Sequence, residues 1–245
     1  MVPEANLERT EAGLVPASAG WFVMNAREAR WFHKPGRGDS LPLTGSDEFE
    51  AETYFPMLGM SIQVLSPGEP NSMYHWETEQ EDFLVLSGEA LLIVEGQERP
   101  VRQWDFVHCP PETRHVFVGA GDGPCVILAA SSRQFQAGGP CGYYTVDEAA
   151  RRHNACPDEE TQDGGVAYAR FPPEQPTRYR DGLLPGLSPA RRLAGPSWRR
   201  PRERPAMRLR DQDLDREVPV DDAGGTRARR ERPAPDGDGR RGRYR

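Results

Sequence analysis

The sequence predicts an all-β fold, an antiparallel sandwich or barrel followed by a short helix and a disordered tail. Three observations carry this. Between Met60 and Ala130 short apolar runs recur at about ten-residue spacing, with Gly, Pro, Asn and Asp between them. No helical period interrupts those runs, which argues against a parallel α/β sheet. The last third of the chain then loses the apolar content a core requires.

Taken in order, the polar start 1–20 reads as flexible, and the domain proper begins at Trp21. Trp21-Phe22-Val23-Met24 and Trp31-Phe32 are short apolar runs with strand character, whereas His33 to Ser46, rich in Gly, Pro and polar residues, reads as a loop. Met60, Ile62 and Val64 alternate with Ser61 and Gln63 as a half-buried strand does. Strand segments follow at Met73 to Glu77, Phe83 to Leu86, Ala90 to Val94, Trp104 to Val107, His115 to Val118 and Cys125 to Ala130. Their turns are Pro67 to Asn71, Ser87-Gly88-Glu89, Glu95-Gly96-Gln97, Pro110-Pro111-Glu112 and Gly119 to Gly123. The barrel is therefore bounded at 21–135 and a helix-containing extension at 136–175. In the extension, Thr145-Val146-Asp147-Glu148 has the form of a capping box, Ala149 to Arg152 follow it, and Asn154 can end the helix, which packs outside the barrel.

The net charge of −7 is a sum of unlike parts: 176–245 holds 19 basic and 11 acidic residues, a net of +8, leaving 12 and 27, a net of −15, for the first 175. Only eight of those last 70 residues are Leu, Ile, Val or Phe, too few to offset the entropy of ordering, so 176–245 reads as a disordered tail. Arg199-Arg200-Pro201-Arg202 and Arg227-Ala228-Arg229-Arg230 could neutralise phosphates, but Asp211, Asp213, Asp215, Asp221 and Asp222 interleave with them, so a solvated polyampholyte is favoured over a nucleic-acid arm. The abrupt change of texture after Arg170-Phe171-Pro172-Pro173 is also what an out-of-frame reading of a GC-rich gene produces.

No run of about 18 apolar residues is present, and MVPEANLERTEAGL lacks the basic start and apolar stretch of a signal peptide, so a cytoplasmic protein without membrane contact is expected. Cys109, Cys125, Cys141 and Cys156 form no C-x-x-C pair and read as small buried hydrophobes.

The chemistry concentrates in Tyr74 to Gly88. On a strand His75 and Glu77, two apart, project from one face, and Glu81 opens the next apolar strand. Imidazole and carboxylate are ligands for divalent metals, and His115, after the Pro-Pro turn, can close the set. A solvated polar pair is the plain alternative for His75 and Glu77.

These residues resemble the cupin superfamily, whose motifs are G-x5-H-x-H-x3,4-E-x6-G and G-x5-P-x-G-x2-H-x3-N. His75, Glu81 and Gly88 fall on the first, with Gly68 one residue too far from His75; Pro110 and His115 fall on the second, with Asp105 where an acidic residue commonly follows its opening glycine. The likeness covers about residues 60 to 130 and is similar in wording to a group of small actinobacterial single-cupin proteins. It departs at Glu77 for the second histidine, Trp104 and Glu112 for two turn glycines, and Gly119 for the final asparagine. The resemblance implies a cupin-type antiparallel β-barrel, a double-stranded jelly roll, with a divalent metal held by His75, Glu77, Glu81 and His115. Two carboxylates would favour Fe(II) or Mn(II), with Zn(II) or Ni(II) compatible. It implies a small-molecule ligand and a metal-dependent oxygenase or isomerase, or else a non-catalytic ligand-binding or sensor cupin.

Phe83, Val85 and Phe117 share the phase of Glu81 or His115 and are candidates to line the substrate cavity, though core packing explains them equally. Tyr74 and Trp76, out of phase, read as packing residues, Glu79 as a surface charge and His108 as a buried, hydrogen-bonded histidine rather than a ligand. The runs at Trp21 and Trp31 could pair across a homodimer or complete the chain's own sheet.

Overall fold

The computed structural model describes residues 1–44, 57–132 and 142–186, all within the unit Met1–Ala194. Strands β1 (Leu7–Thr10) and β2 (Gly13–Pro16) form a separate hairpin. β3 (Trp31–His33), β4 (Asp39–Thr44) and β5 (Leu58–Leu65) lead into the main fold. β6 (His75–Glu77), β7 (Glu81–Ser87), β8 (Glu89–Val94), β9 (Gln97–Arg102), β10 (Phe106–Cys109), β11 (His115–Ala120) and β12 (Cys125–Ser132) follow. β13 (Gly142–Tyr144), α1 (Glu148–Arg152), α2 (Gly164–Ala167) and β14 (Gln175–Thr177) complete it.

Two antiparallel sheets face each other. One has the order β10-β7-β12-β5-β4-β3-β14 and the other β13-β6-β11-β8-β9. Tight turns make this sandwich possible: Glu95 and Gly96 both have positive φ in the β8–β9 hairpin, the pairing that a type I′ turn requires. Gly88 joins β7 to β8 at φ +75°, where a Cβ would lie 2.4 Å from the Pro124 carbonyl oxygen.

Three apolar layers result. Between the sheets lie Leu65, Phe83, Val85, Leu92, Phe117 and Ile127. Outside the five-stranded sheet, Ala149 and Ala150 of α1 pack on Tyr74, Ile93, Val116 and Val118. Outside the other sheet, Trp31, Leu41, Val64 and Val126 are covered by Met24, Tyr179, Leu183 and Leu184. Val64 points outward and Leu65 inward, as strand alternation demands. No described helix is long and apolar enough to cross a membrane.

Several expectations change. The segment 1–20 holds the β1–β2 hairpin, tied down by Ala5 N–H donating to the Trp21 carbonyl and Leu14 N–H to that of Glu28. Trp21 itself makes only an isolated bridge to Glu4, while Trp31 and Phe32 complete this chain's own sheet as β3. The loop expected over 33–46 contains β4, because Gly36 and Gly38, both at positive φ, turn the chain back so that Asp39 opens a strand against β5. β9 carries Pro100 and polar residues, which an edge strand tolerates.

The extension also contributes to the sandwich, since β13 edges one sheet and β14, which starts at its last residue, edges the other. Order continues past residue 175 because Tyr179, Leu183 and Leu184 bury apolar surface and Arg180 pairs with Asp39 at 2.6 Å. The tail expectation otherwise falls on 187–245, outside the described residues. Helix α1 is capped by Asp147, whose side chain accepts from Ala150 N–H at 3.0 Å, two residues after the expected cap. Thr145 is held extended by donating its N–H to the Tyr74 carbonyl; Asn154, at φ +56°, follows the C-cap. Cys109, Cys125 and Cys156 are buried free thiols, and Cys141 lies outside the described residues.

Candidate metal centre

The two sheets bring His75, Glu81 and His115 together. His75 opens β6 and is the register partner of His115, which opens β11, and Glu81 opens β7 in the facing sheet. One donor atom from each lies within 4.8 Å of the others. Two imidazole nitrogens and a carboxylate oxygen are a donor set that can hold a divalent ion.

The backbone fixes how the rings face. His75 Nδ1 lies 2.8 Å from the Met73 carbonyl oxygen and His115 Nδ1 lies 3.0 Å from that of Thr113. A carbonyl only accepts, so each Nδ1 carries a proton, and in the neutral rings both Nε2 lone pairs are turned toward the centre. Such outer anchoring is how metal-binding histidines are oriented. His115 Nε2 is buried with no hydrogen-bond partner. It lies 3.3 Å from Glu81 Oε2; with the ring proton on Nδ1 and the carboxylate ionised, both atoms are acceptors.

The two rings differ electrostatically. For His115, burial and then the charge on His75 push the pKa down to about 4. For His75, burial acts in the same direction, but hydrogen bonding to Glu77 and the charges of Glu81 and Glu77 outweigh it and raise the pKa above 6.5. Glu77 Oε1 is 3.7 Å from His75 Nε2 and falls outside the three-residue group.

These residues line a cavity of about 440 Å³, within the usual range for small-molecule sites. Its wall includes Lys34, Arg37, Gln63, Asn71, Tyr144 and Tyr168. A neighbouring hollow of about 220 Å³ shares Lys34, Gln63 and Glu81 with it. Asn71 is fixed on both sides, donating to Gln63 Oε1 at 2.9 Å and accepting from Phe117 N–H at 2.9 Å. Tyr168 and Tyr144 hydroxyls hydrogen-bond each other, and burial raises the Tyr168 pKa above 10.0, keeping it a protonated donor.

Of the three apolar candidates, Phe83 reaches the cavity wall, with its ring 5.2 Å from that of His115. Val85 and Phe117 are fully buried, each one same-face step further along its strand than Phe83 and His115, and belong to the core between the sheets. Tyr74 is buried under α1 and Trp76 stacks on Tyr143. Glu79 is not a surface charge: it is 2% exposed and accepts from Ser132 Oγ at 2.6 Å. His108 is exposed rather than buried, because β10 is an edge strand and the ring faces outward to Asp82, 2.7 Å away.

The cavity residues on β5 had a legible signal: the polar phase Ser61 and Gln63 lies inward here, since the apolar phase is covered from outside by the layer around Trp31. Lys34 and Arg37, in a segment read as loop, and Tyr144 and Tyr168, in the extension, had none.

Residues 61–131, which hold all three clustered side chains, match the family model described as "Cupin domain". No curated protein matches the chain. Among solved structures, a protein of Acidithiobacillus ferrooxidans provisionally named a sugar phosphate isomerase is 23% identical, with 44% of this chain and 65% of that one covered and a TM-score of 0.35. A Cupin 2 conserved barrel domain protein of Salinispora arenicola is 27% identical over 38% of this chain and 72% of its own, with a TM-score of 0.32. The DMSP lyase DddQ of Ruegeria pomeroyi is 22% identical over 41% of this chain and 49% of its own, with a TM-score of 0.34. This chain thus spans less than two thirds of the first and about half of the third. Residues 61–131, which contain His75, Glu81 and His115 and lie on the two facing antiparallel sheets that bring them together, form a cupin domain.

Proposed function

We propose that the chain is a metal-dependent cupin that acts on a small molecule in the cavity beside His75, Glu81 and His115. The observation that carries this is His115 Nε2, a buried nitrogen with no hydrogen-bond partner, 3.3 Å from Glu81 Oε2. Burying two acceptors against each other is unfavourable unless a cation joins them. His75, Glu81 and His115 would hold the ion, with Glu77 beside His75 as a further donor. Two nitrogens and one or two carboxylates suit Fe(II) or Mn(II) and are compatible with Zn(II) or Ni(II). When bound, a divalent ion supplies Lewis-acid polarisation of a substrate oxygen, the chemistry common to oxygenase and isomerase activities.

The chain's own residues do the rest. Met73 and Thr113 carbonyls hold the histidine tautomers. Asn71 and Gln63 present amides along one wall, and the Tyr144–Tyr168 pair offers a hydroxyl donor next to His75, whose ring is 5.8 Å from that of Tyr144. Phe83 closes the floor against water. A polar cavity adjoining the metal face favours catalysis over a passive sensor role.

The test is elemental analysis of the full chain purified anaerobically from medium supplemented with iron, manganese, zinc and nickel. About one ion per chain is expected, lost in His115→Ala. Wild-type protein without stoichiometric metal would overturn the proposal. Oxygen-consumption screening of the loaded protein then separates oxygenase from isomerase chemistry.

A further inference from the structure

One wall of the cavity is built by the loop joining β3 to β4. Lys34 N–H donates to the Gly38 carbonyl at 2.8 Å and Arg37 N–H to the Lys34 carbonyl at 2.7 Å, closing a tight loop. Gly38, at φ +80°, seats it against β5, where a Cβ would lie 2.2 Å from the Val64 carbonyl oxygen. This constrained loop puts two cations, Lys34 and Arg37, on the cavity wall.

Arg37 is 9% exposed, and its Nε is buried without a hydrogen-bond partner. Its guanidinium carbon lies 4.3 Å from the Tyr168 ring centroid and 5.4 Å from that of Phe171. Among the described residues the side chain forms no ion pair, and the carboxylate two residues on, Asp39, is taken by Arg180 at 2.6 Å and His33 at 3.0 Å. A largely buried guanidinium that, among the described residues, has ring faces but no carboxylate beside it lacks the counter-charge that buried cations require. Aromatic rings connect it to the acidic cluster: Tyr168 packs on Tyr144 at 5.4 Å, and Tyr144 on His75 at 5.8 Å.

The acidic side chains facing the cavity are Glu77, Glu81 and Glu174, the last 3.5 Å from Lys34 and nearly half exposed. Two of the three belong to the metal site, so with a divalent ion bound there Glu174 is, among the described residues, the cavity carboxylate left beside Lys34 and Arg37.

We propose that the substrate carries a small oxyanion, a carboxylate or phosphate, held by Arg37 with Lys34, while the rest of the molecule extends past Tyr168 and Tyr144 toward His75, Glu81 and His115. This rests on the reading of the cavity as the substrate site. The guanidinium offers several N–H donors to two oxygens of either anion, which gives direction as well as charge. The constrained loop presents it without reordering, which lowers the entropic penalty of binding.

Calorimetric titration of the full chain with succinate, inorganic phosphate and the neutral analogue succinamide tests it, in manganese-loaded and chelator-treated protein. Succinate or phosphate should bind and succinamide should not, and Arg37→Gln should weaken the anion at least tenfold in both forms. Which of the two anions binds more tightly assigns the source. Lys34→Gln should weaken it severalfold, and it reads the same wall of the cavity should Arg37→Gln lose its melting transition. Binding of succinamide equal to succinate, no anion binding in either form, or anion affinity unchanged in both variants would overturn the proposal. Manganese content is measured alongside. Absent manganese with Arg37-dependent anion binding would sink the metal reading and leave this one standing, and the reverse pattern would do the opposite.

Discussion

His115 Nε2 and Glu81 Oε2 face each other at 3.3 Å from opposite sheets, and with the ring proton on Nδ1 and the carboxylate ionised neither donates to the other. The contact is repulsive in the metal-free chain and becomes favourable with a cation between. Glu81→Gln should therefore separate stability from binding. Its amide N–H can donate to Nε2, adding a hydrogen bond worth about 1 kcal/mol, while the lost charge removes the metal. Melting in chelator is expected to rise above wild type as elemental analysis shows metal lost. A lower melting point with metal retained would contradict the arrangement.

Glu77 stands apart from that trio, 3.7 Å from His75 Nε2. Its charge supports His75 rather than completing the cluster, and loss of such an outer partner typically weakens metal binding about 10- to 100-fold. Glu77→Gln is expected to purify with metal and surrender it to a chelator more readily than wild type. Complete loss, equal to that of Glu81→Gln, would instead make Glu77 an obligatory ligand.

The turns show what replaced two of the motif's glycines. Trp104 and Glu112 occupy those positions with φ of 75° and 68°, so the left-handed backbone persists without glycine. Each conformation costs about 1–2 kcal/mol for an L residue. Trp104 is 68% exposed, so trimming it removes little packing. Trp104→Gly and Glu112→Gly should each stabilise by about 0.5–1 kcal/mol after the added chain entropy of glycine. Gly119→Asn, which restores the motif's asparagine, should do the reverse, because a Cβ there would lie 2.1 Å from the Ser66 carbonyl oxygen. Urea denaturation of the three variants measures both signs, and a stabilised Gly119→Asn would refute the backbone account.

The central strands and the ligand trio were legible because alternation and two offset motifs act locally: His75, Glu81 and His115 each open a strand that its own apolar residues define. Glu79 and His108 were misplaced because burial at a turn or an edge depends on what packs there, and Glu79 is covered by Ser132, 53 residues away. The same holds for β13 and β14, three-residue strands with no period of their own, which exist because sheet edges were waiting for them. Arg37 became a cavity residue only through Tyr168, 131 positions later in the chain.

The thiols give a pH-dependent prediction. Burial, and then Glu81 and Asp82, push Cys109 up to about 12, and burial pushes Cys125 up to about 11. Below 9.0 both states of the chain keep these thiols protonated. Above it the unfolded chain ionises while the folded one does not, so stability falls as pH rises from 9 toward about 11 for Cys125 and about 12 for Cys109, by about 1.4 kcal/mol per unit for each thiol before discounting for relaxation. Native protein at pH 8.5 should leave Cys109 and Cys125 unmodified by iodoacetamide, with both modified in urea. Peptide mass mapping reads the result, and native modification of either thiol at the rate of free cysteine would contradict it.

Arg180 reaches back 141 residues to place Nη2 at 2.6 and 2.7 Å from the two oxygens of Asp39, whose side chain is 9% exposed. Removing the guanidinium leaves that carboxylate with His33 alone. Arg180→Ala should then cost about 1–2 kcal/mol, a figure already reduced because half of the arginine is exposed to water. The wider consequence concerns where the folded unit ends. A chain ending at residue 174 loses β14, Arg180 and the cover that Tyr179, Leu183 and Leu184 give Trp31, which is fully buried. Uncovering one large aromatic side chain alone forfeits about 1.5–3 kcal/mol. A chain ending at residue 186 keeps all of these. In urea denaturation the 174 form should melt at distinctly lower denaturant than the 186 form, with Arg180→Ala between them. Equal midpoints for the two truncations would show that the segment 175–186 does not stabilise the outer face of the seven-stranded sheet.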